Sequence, residues 1–229
     1  ETGKTVLLNG ATFKVKNMDT NEYVSYIDWS LFPQIVVNQW TTHKDGTITL
    51  NTKLKIGHYQ LEEIEAPAGY VLTKEPVPFE ITKDHYEISS DQITPITVVE
   101  LVDQSVKGKV TIEKKGEVLT DYKDGKFIYE ERGLAHAKFG IYAKNDIFDP
   151  SHDGTVLYKQ GELIETLETT EGGKITSHEL PLGDYECKEL EAPYGYVLNS
   201  EVKAFSLSYK GQSVDIVYER SEEHTSELQ

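Results

Sequence analysis

Two glutamates occupy equivalent places in the chain, each towards the end of an alternating run that predicts a β-strand. Side chains alternate between the two faces of a strand, so Glu63 falls on the same face as Tyr59 and Leu61. The second run repeats the pattern, with Glu189 in line with Tyr185. A carboxylate in line with apolar residues is costly to bury unless it is neutralised or paired. The spacing leaves two interpretations open: a buried functional acid, or a strand that ends there and turns the glutamate outwards.

Two further polar side chains fall in line with apolar residues. Lys114 shares a predicted strand face with Ile112, and Asp103 shares one with Leu101. The second assignment has a rival, because Val102 belongs to an apolar face of the opposite parity. A single lysine at the edge of a strand is ordinarily solvated. These positions therefore carry weight only in combination with the two glutamates.

The chain contains an internal repeat. Residues 59–72 return as residues 185–198, and residues 11–15 return as residues 137–141, in both cases with an offset of 126. Two separate segments that share one offset indicate tandem domains. The boundary is predicted near residues 103–108, just before a new β-type run begins.

Both halves show the pattern of short strands separated by turns. Alternating runs predict strands at residues 47–50, 79–82, 110–112 and 205–208. No stretch keeps a 3.6-residue apolar period over three turns, so long helices are not expected. Several short strands in each unit of about 100 residues predict antiparallel β-sandwiches. The domains are placed at residues 1–105 and 106–220.

Composition excludes several classes of function. The 229 residues carry a net charge of −16, which argues against binding to nucleic acid or to an anionic membrane surface. Apolar runs are only a few residues long, so no segment is expected to span a bilayer. The single cysteine, Cys187, excludes an internal disulfide framework. No histidine spacing is typical of zinc, and neither a metal nor another cofactor is expected.

The repeated segment Gly-(His/Asp)-Tyr-x-x-x-Glu-x-x-Ala-Pro-x-Gly-Tyr-Val-Leu resembles the E-box of Cna B-type domains, also called SpaA-type pilin domains. Residues 10–13 and 136–139 resemble the Gly-Ala-x-Phe strand of the same family. Its members are prealbumin-like β-sandwiches of Gram-positive pilins and surface adhesins. The resemblance covers both repeats, and it implies an all-β chain of two tandem antiparallel Greek-key sandwiches.

The resemblance also implies a chemistry. Many such domains form an isopeptide bond between a lysine of the first strand and an asparagine or aspartate of the last, assisted by a buried glutamate. By motif, Lys114 is the lysine and Glu189 the assisting acid of the second domain, while Glu63 is the acid and Asp103 the acceptor of the first. Burial favours a neutral, nucleophilic amine and a protonated carboxyl group that polarises the acceptor. The reaction would occur once per molecule, so it is maturation and not enzymatic turnover.

Each domain is expected to lack one partner of its bond. The lysine of the first domain is expected upstream of residue 1, and Lys14 and Lys16 are interpreted as ordinary polar positions of a later strand. Residues 221–229 resemble a translated sequencing adapter and are set aside. The acceptor of the second domain is expected beyond Glu219, with Asp215 as a substitute. The chain as printed is therefore predicted to contain neither crosslink.

The resemblance implies a structural role, as the stalk or spacer of a cell-wall-anchored adhesin or pilin outside the cell. Its expected partners are neighbouring domains of the same protein and, in addition, host extracellular matrix. The alternative is a binding module that itself contacts host matrix protein or glycan. An exposed aromatic cluster from Trp29 to Trp40 would favour the binding module, and burial of both tryptophans would favour the spacer. No set of nucleophile, base and orienting residue suggests an enzyme beyond the self-crosslinking residues.

Overall fold

A computed structural model describes residues 6–83, 87–88, 95–210 and 216–222. The chain divides into two compact units, Glu1–Ser105 and Val106–Gln229. Within the described residues there is no helix, and hence none that could cross a membrane. The prediction of an all-β chain is confirmed.

Each unit consists of short strands joined by turns. The described strands of the first unit are β1 (Thr12–Asn17), β2 (Glu22–Tyr23), β3 (Tyr26–Asp28), β4 (Ile35–Val37), β5 (Trp40–Thr41), β6 (Gly57–Glu65), β7 (Tyr70–Val71), β8 (Val77–Ile81), β9 (Glu87–Ile88), β10 (Pro95–Ile96) and β11 (Gln104–Ser105). Those of the second unit are β12 (Lys107–Lys123), β13 (Lys126–Gly133), β14 (Lys138–Ala143), β15 (Ile147–Phe148), β16 (Val156–Tyr158), β17 (Leu163–Glu168), β18 (Lys174–Thr176), β19 (Leu180–Pro181), β20 (Gly183–Glu191), β21 (Lys203–Leu207) and β22 (Ile216–Glu222).

Each unit has its own central sheet, and the two sheets have the same arrangement because the sequence repeats. In the first unit β1, β6 and β8 are neighbours, and in the second unit β14, β20 and β21 are neighbours, all in antiparallel order. The second set begins 126 residues after the first at every strand. Phe13 lies opposite Glu63 and Phe139 lies opposite Glu189, with an irregularity in the ladder just before each phenylalanine. Both glutamates are therefore placed by the same local geometry.

The second unit is a sandwich of two sheets. One sheet has the order β17-β14-β20-β21, and the other is centred on β12, which pairs with β13, β18, β19 and β22. Apolar side chains from both sheets form one core. Its largest fully buried members include Val110, Ile112, Phe139, Ile141 and Tyr185.

The first unit has a smaller core, formed by Val15, Trp40 and Tyr59 with partly buried neighbours. Ile48 and Leu50 pack against this core from a segment that is not a strand, so the strand predicted at residues 47–50 is wrong. The alternating apolar side chains there pack against the core, but the backbone of this segment does not pair with another strand in the described structure. The other predicted runs do lie in β8, β12 and β21, apart from the last residue of the first and third runs.

Candidate functional site

Both repeated glutamates point into the protein. Tyr59 and Glu63 are buried on β6, and Tyr185, Cys187 and Glu189 are buried on β20. Only after the glutamate does the alternation end, and the last two residues of each strand are both exposed. The interpretation in which the glutamates turn outwards is therefore wrong.

In the second unit the buried glutamate is paired with a buried lysine. The Nζ atom of Lys114, on β12, lies 3.0 Å from each carboxylate oxygen of Glu189, on β20. The side chains are only 3% and 1% exposed, respectively. Glu189 Oε2 also accepts a hydrogen bond from the backbone N–H of Asn199 at 2.8 Å. Two charges withdrawn from water are tolerated here because each neutralises the other.

The main chain around Lys114 is held on both sides. Its N–H donates to the carbonyl of Gly173, and its carbonyl accepts from the N–H of Leu134, both at 2.8 Å. Gly173 has a φ of +76°, and a Cβ atom there would lie 2.3 Å from the carbonyl oxygen of Lys114. Only glycine fits this close approach without displacing the strand. The position of the amine is thus fixed by the backbone as well as by its ion pair.

In the first unit the equivalent acid has a different environment. Glu63 Oε2 accepts the backbone N–H of Thr73 at 2.8 Å. Glu63 Oε1 is buried and has no hydrogen-bond partner within the described part of the chain. Burial raises the pKa of Glu63 from 4.5 to about 7, and the nearby Asp103 adds to the effect. Around neutral pH this carboxyl group is therefore available in its protonated form.

Asp103 lies close to Glu63, as the favoured parity predicts. Its side chain is half-buried, whereas Val102, the rival inward residue, is exposed. Asp103 Oδ1 accepts a hydrogen bond from the Thr73 hydroxyl at 3.3 Å. Burial raises the pKa of Asp103 as well. Thr73 thus links the two carboxyl groups, through its N–H to Glu63 and through its hydroxyl to Asp103.

Each unit has its own buried glutamate with a backbone N–H donor at the equivalent position. Thr73 and Asn199 are equivalent by the offset of 126, and both donate at 2.8 Å to the inward glutamate. The sequence analysis missed both residues, although each directly follows the repeated segment. The structure describes no ion pair to Glu63 in the first unit. Lys14 and Lys16 instead approach the ring of Tyr23, which agrees with ordinary polar positions.

The last described strand runs beside the strand of Lys114. β22 pairs in parallel with β12, in a register that places Ile216 opposite Gly108 and Glu222 opposite Lys114. The strand continues two residues into the segment that resembles a sequencing adapter, because a ladder of backbone hydrogen bonds accepts almost any sequence. Asp215, the substitute acceptor, lies outside the described residues. The register position beside the buried lysine belongs to residue 222.

Metal binding finds no support in the described ranges, where no three His, Cys, Asp or Glu side chains gather closely enough to hold an ion. The arrangement present in each unit is instead a buried carboxyl group with a backbone donor. It is joined by an amine in the second unit and by a second carboxyl group in the first. Such groups are suited to proton transfer and to amide formation.

Comparisons with known proteins agree on the family. The model of the SpaA prealbumin-like fold domain matches residues 1–94 and 128–221, one segment in each unit. No curated protein matches the chain. The solved structure of the Bacillus anthracis TIE protein is 28% identical, with a TM-score of 0.57, and the match covers 96% of this chain and 31% of that one.

Pilin structures also match, at lower identity. A streptococcal ancillary pilin is 19% identical over 94% of this chain and 58% of its own, with a TM-score of 0.33. BcpA, the major pilin subunit of Bacillus cereus, is 14% identical over 94% and 95%, with a TM-score of 0.31. The chain spans about a third of the TIE protein and a little over half of the ancillary pilin. The family match covers most of the chain, and the chain therefore belongs to the SpaA family of prealbumin-like fold domains, of which it carries two tandem copies.

Proposed function

We propose that the chain is a structural stalk segment of a Gram-positive cell-surface protein, and that each of its domains holds part of the machinery for a self-formed isopeptide bond that stiffens the domain. The observation that carries the proposal is the buried contact of Lys114 with Glu189, at 3.0 Å to both oxygens, on a strand that neighbours the last strand. Membership of a pilin-type domain family supports the surface location. The bond forms once, so the protein is not a turnover enzyme.

The contact between Lys114 and Glu189 can supply both reactive groups, a neutral amine and a protonated acid, in one step. Transfer of a proton from the ammonium of Lys114 to the carboxylate of Glu189 produces a neutral amine beside a neutral acid. The amine nitrogen attacks the side-chain carbonyl carbon of an asparagine or aspartate on the last strand, and the acid polarises the carbonyl oxygen. The nitrogen loses a proton to the leaving group by way of Glu189. Ammonia leaves from asparagine, or water from aspartate, and a secondary amide remains.

Fixed geometry accounts for the rest of the rate enhancement of amide formation. Reactive groups held in place within one fold gain effective molarities on the order of 10⁵ M or more. Lys114 is held by its backbone partners and its ion pair, and β22 lies alongside in parallel register. No further catalyst is required once the domain has folded.

The first unit holds the other half of the same chemistry. Glu63 is the assisting acid, and Asp103, joined to it through Thr73, is the acceptor that loses water. The raised pKa of both carboxyl groups suits these roles, because a protonated acid polarises and a neutral carboxyl group accepts an amine.

A bond at this place has a mechanical consequence. The first and last described strands of the second unit are parallel neighbours, so tension applied to the two strands loads the ladder between β12 and β22 in shear. A covalent amide between them transmits that load without extension of the domain. This is the property that a stalk needs to present a distal element away from the cell.

The proposal is tested by intact mass. Glu222→Asn places an asparagine at the register position opposite Lys114. We expect this chain to be lighter than its sequence by one ammonia, and peptide mapping to join residue 222 to Lys114. The same chain with Glu189→Ala is expected to keep the full mass, as is the unchanged chain.

Arg220→Asn is the matched control, because it places the asparagine opposite Ile112 instead of the lysine. Full mass for this control and loss of ammonia for the residue 222 variant would establish a position-dependent reaction. Full mass for both would remove self-crosslinking from the proposal and leave a stalk held by packing alone.

A second candidate function, a binding module, is favoured by one observation. Trp29 is 74% exposed and Phe32 is 94% exposed, on the loop between β3 and β4. Trp40 is buried and stacks on Tyr26, so the predicted aromatic cluster is divided between core and surface. Exposed large aromatic side chains on a loop are typical of contact surfaces for proteins or glycans.

We expect Trp29→Ser with Phe32→Ser to abolish any binding to immobilised extracellular matrix or to a glycan array. The free energy of unfolding should change by less than about 0.5 kcal/mol, because both side chains are exposed. Val36→Ser, on the neighbouring strand and also exposed, is the control. Equal retention of the double variant and the unchanged chain would refute a binding role for this loop.

A further inference from the structure

The second unit carries a two-stranded ribbon that its core does not use. The residues of β12 alternate between buried and more exposed as far as Gly116, and from Glu117 onwards none is buried. The seven residues of β13 from Lys126 to Arg132 are all exposed. The matched family segments end at residue 94 and resume at residue 128, so β12 lies outside both.

One face of this ribbon is apolar and aromatic. Leu119 lies opposite Tyr129, and Tyr122 lies opposite Phe127, and an irregularity at Thr120 brings both pairs to the same face. Tyr122 and Phe127 are each 61% exposed, and their ring centroids are 5.0 Å apart. A two-stranded ribbon is marginally stable alone, and an apolar edge strand is a template for another strand.

The edge offered to another strand is that of β13. Among the described strands β13 pairs with β12 alone. The carbonyl of Ile128 accepts a hydrogen bond from the Thr120 hydroxyl of β12 at 3.3 Å, so the backbone groups of Ile128 face inwards. Backbone groups alternate in direction along a strand, and those of Phe127 and Tyr129 therefore face the free edge.

We propose that β13 pairs in antiparallel register with β13 of a second copy of this chain, about a two-fold axis at Ile128, to form a continuous four-stranded sheet. In this register Lys126 lies opposite Glu130 of the second copy, Phe127 lies opposite its Tyr129, and the two Ile128 residues meet. Each pair shares a face of the sheet, because paired residues differ in number by an even value. The sequence of β13 is thus complementary to itself in charge, aromatic contact and apolar contact.

Charge also favours the axis at Ile128 over an axis at Tyr129, and it favours this ribbon over the rest of the acidic chain as the place of contact. An axis at Tyr129 would set Lys126 against Arg132 and Ile128 against Glu130, which opposes like charges and buries a carboxylate against an apolar side chain. Residues 115–133 carry four basic and five acidic side chains, a net of −1, within a chain of net charge −16. The ribbon is therefore a part of this acidic protein where two copies approach without strong repulsion, which salt screens further.

The contact is small, and the expected association is weak. Two paired strands of about five residues bury less than the roughly 1,200–2,000 Å² of a stable interface. Weak lateral contacts become effective when many copies stand side by side, since each contact raises the local concentration for the next. The inference goes beyond the stalk function, because it concerns how neighbouring copies associate.

Reciprocal charge variants test the pairing in sedimentation experiments over a range of protein concentrations. Lys126→Glu and Glu130→Lys alone are each expected to raise the dissociation constant of the dimer by about tenfold, because two like-charged pairs form per dimer. A mixture of the two variants is expected to restore association, as is the chain that carries both substitutions. A monomer at every concentration, or variants that all associate like the unchanged chain, would overturn the proposal.

Engineered disulfides test the register independently. Ile128→Cys places two thiols on the two-fold axis in a non-hydrogen-bonded pair, where the Cα atoms approach to about 4.5 Å, within disulfide range. We expect a crosslinked dimer under mild oxidation, and none from Glu130→Cys, which faces Lys126. The native Cys187 is buried and does not interfere. Crosslinking through residue 130 in preference to residue 128 would exclude this register.

Discussion

Replacement of Lys114 by methionine is expected to destabilise the second unit by about 3–5 kcal/mol, because it leaves the carboxylate of Glu189 buried without a counter-charge. Glu189→Gln is expected to have a similar effect through the unpaired ammonium of Lys114. Glutamine still accepts the N–H of Asn199, so the loss reports the charge and not that hydrogen bond. The two substitutions together should recover most of the stability, because no unpaired charge then remains buried.

Urea unfolding followed by far-UV circular dichroism measures the effect, and the chain supplies an internal reference. Trp29 and Trp40 both lie in the first unit, so tryptophan fluorescence reports that unit and should not change. Lys138 and Glu191 form the matched control pair, at 2.8 Å but exposed to solvent, and Lys138→Met should cost at most about 1 kcal/mol. A buried substitution no more costly than this control would contradict the prediction.

Strand alternation was enough to place most of the site. Glu63, Glu189 and Lys114 are inward because the period of two is a local property of an extended chain, and each strand keeps it up to those residues. Asp103 remained ambiguous because Val102 offered an equally apolar alternative. Exposed apolar residues are common, so sequence alone does not tell which of two apolar parities faces the core.

The features that sequence reasoning missed depend on partners distant in the chain. Thr73 and Asn199 each contribute a backbone N–H, which nearly every residue type offers, so no residue type marks the role. Residues 47–50 have the alternation of a strand, but no strand in the described part of the chain forms a ladder with them. The alternating run at residues 110–112 predicted only a small part of β12, since the charged residues and Gly116 that follow disguise its length.

The first unit is expected to lose about 3 kcal/mol of stability as the pH rises from about 4.5 to above 7. In the folded unit the pKa of Glu63 is raised to about 7, so between these values the folded state binds more protons than the unfolded state. The free energy of unfolding therefore falls as pH rises through this window, and the contribution is fully present only below the unfolded pKa of 4.5. The raised pKa of Asp103 acts in the same direction.

Glu63→Gln should remove most of this dependence, because an amide has no proton to lose. The variant is expected to match the unchanged chain near pH 4 and to exceed it by about 3 kcal/mol above pH 8, in urea unfolding followed by tryptophan fluorescence. Glu62→Gln is the control: it removes the same charge from the adjacent, outward position, and so separates burial from the general repulsion within an acidic chain. An equal gain in the control would mean that net charge, and not the buried position of Glu63, sets the pH dependence.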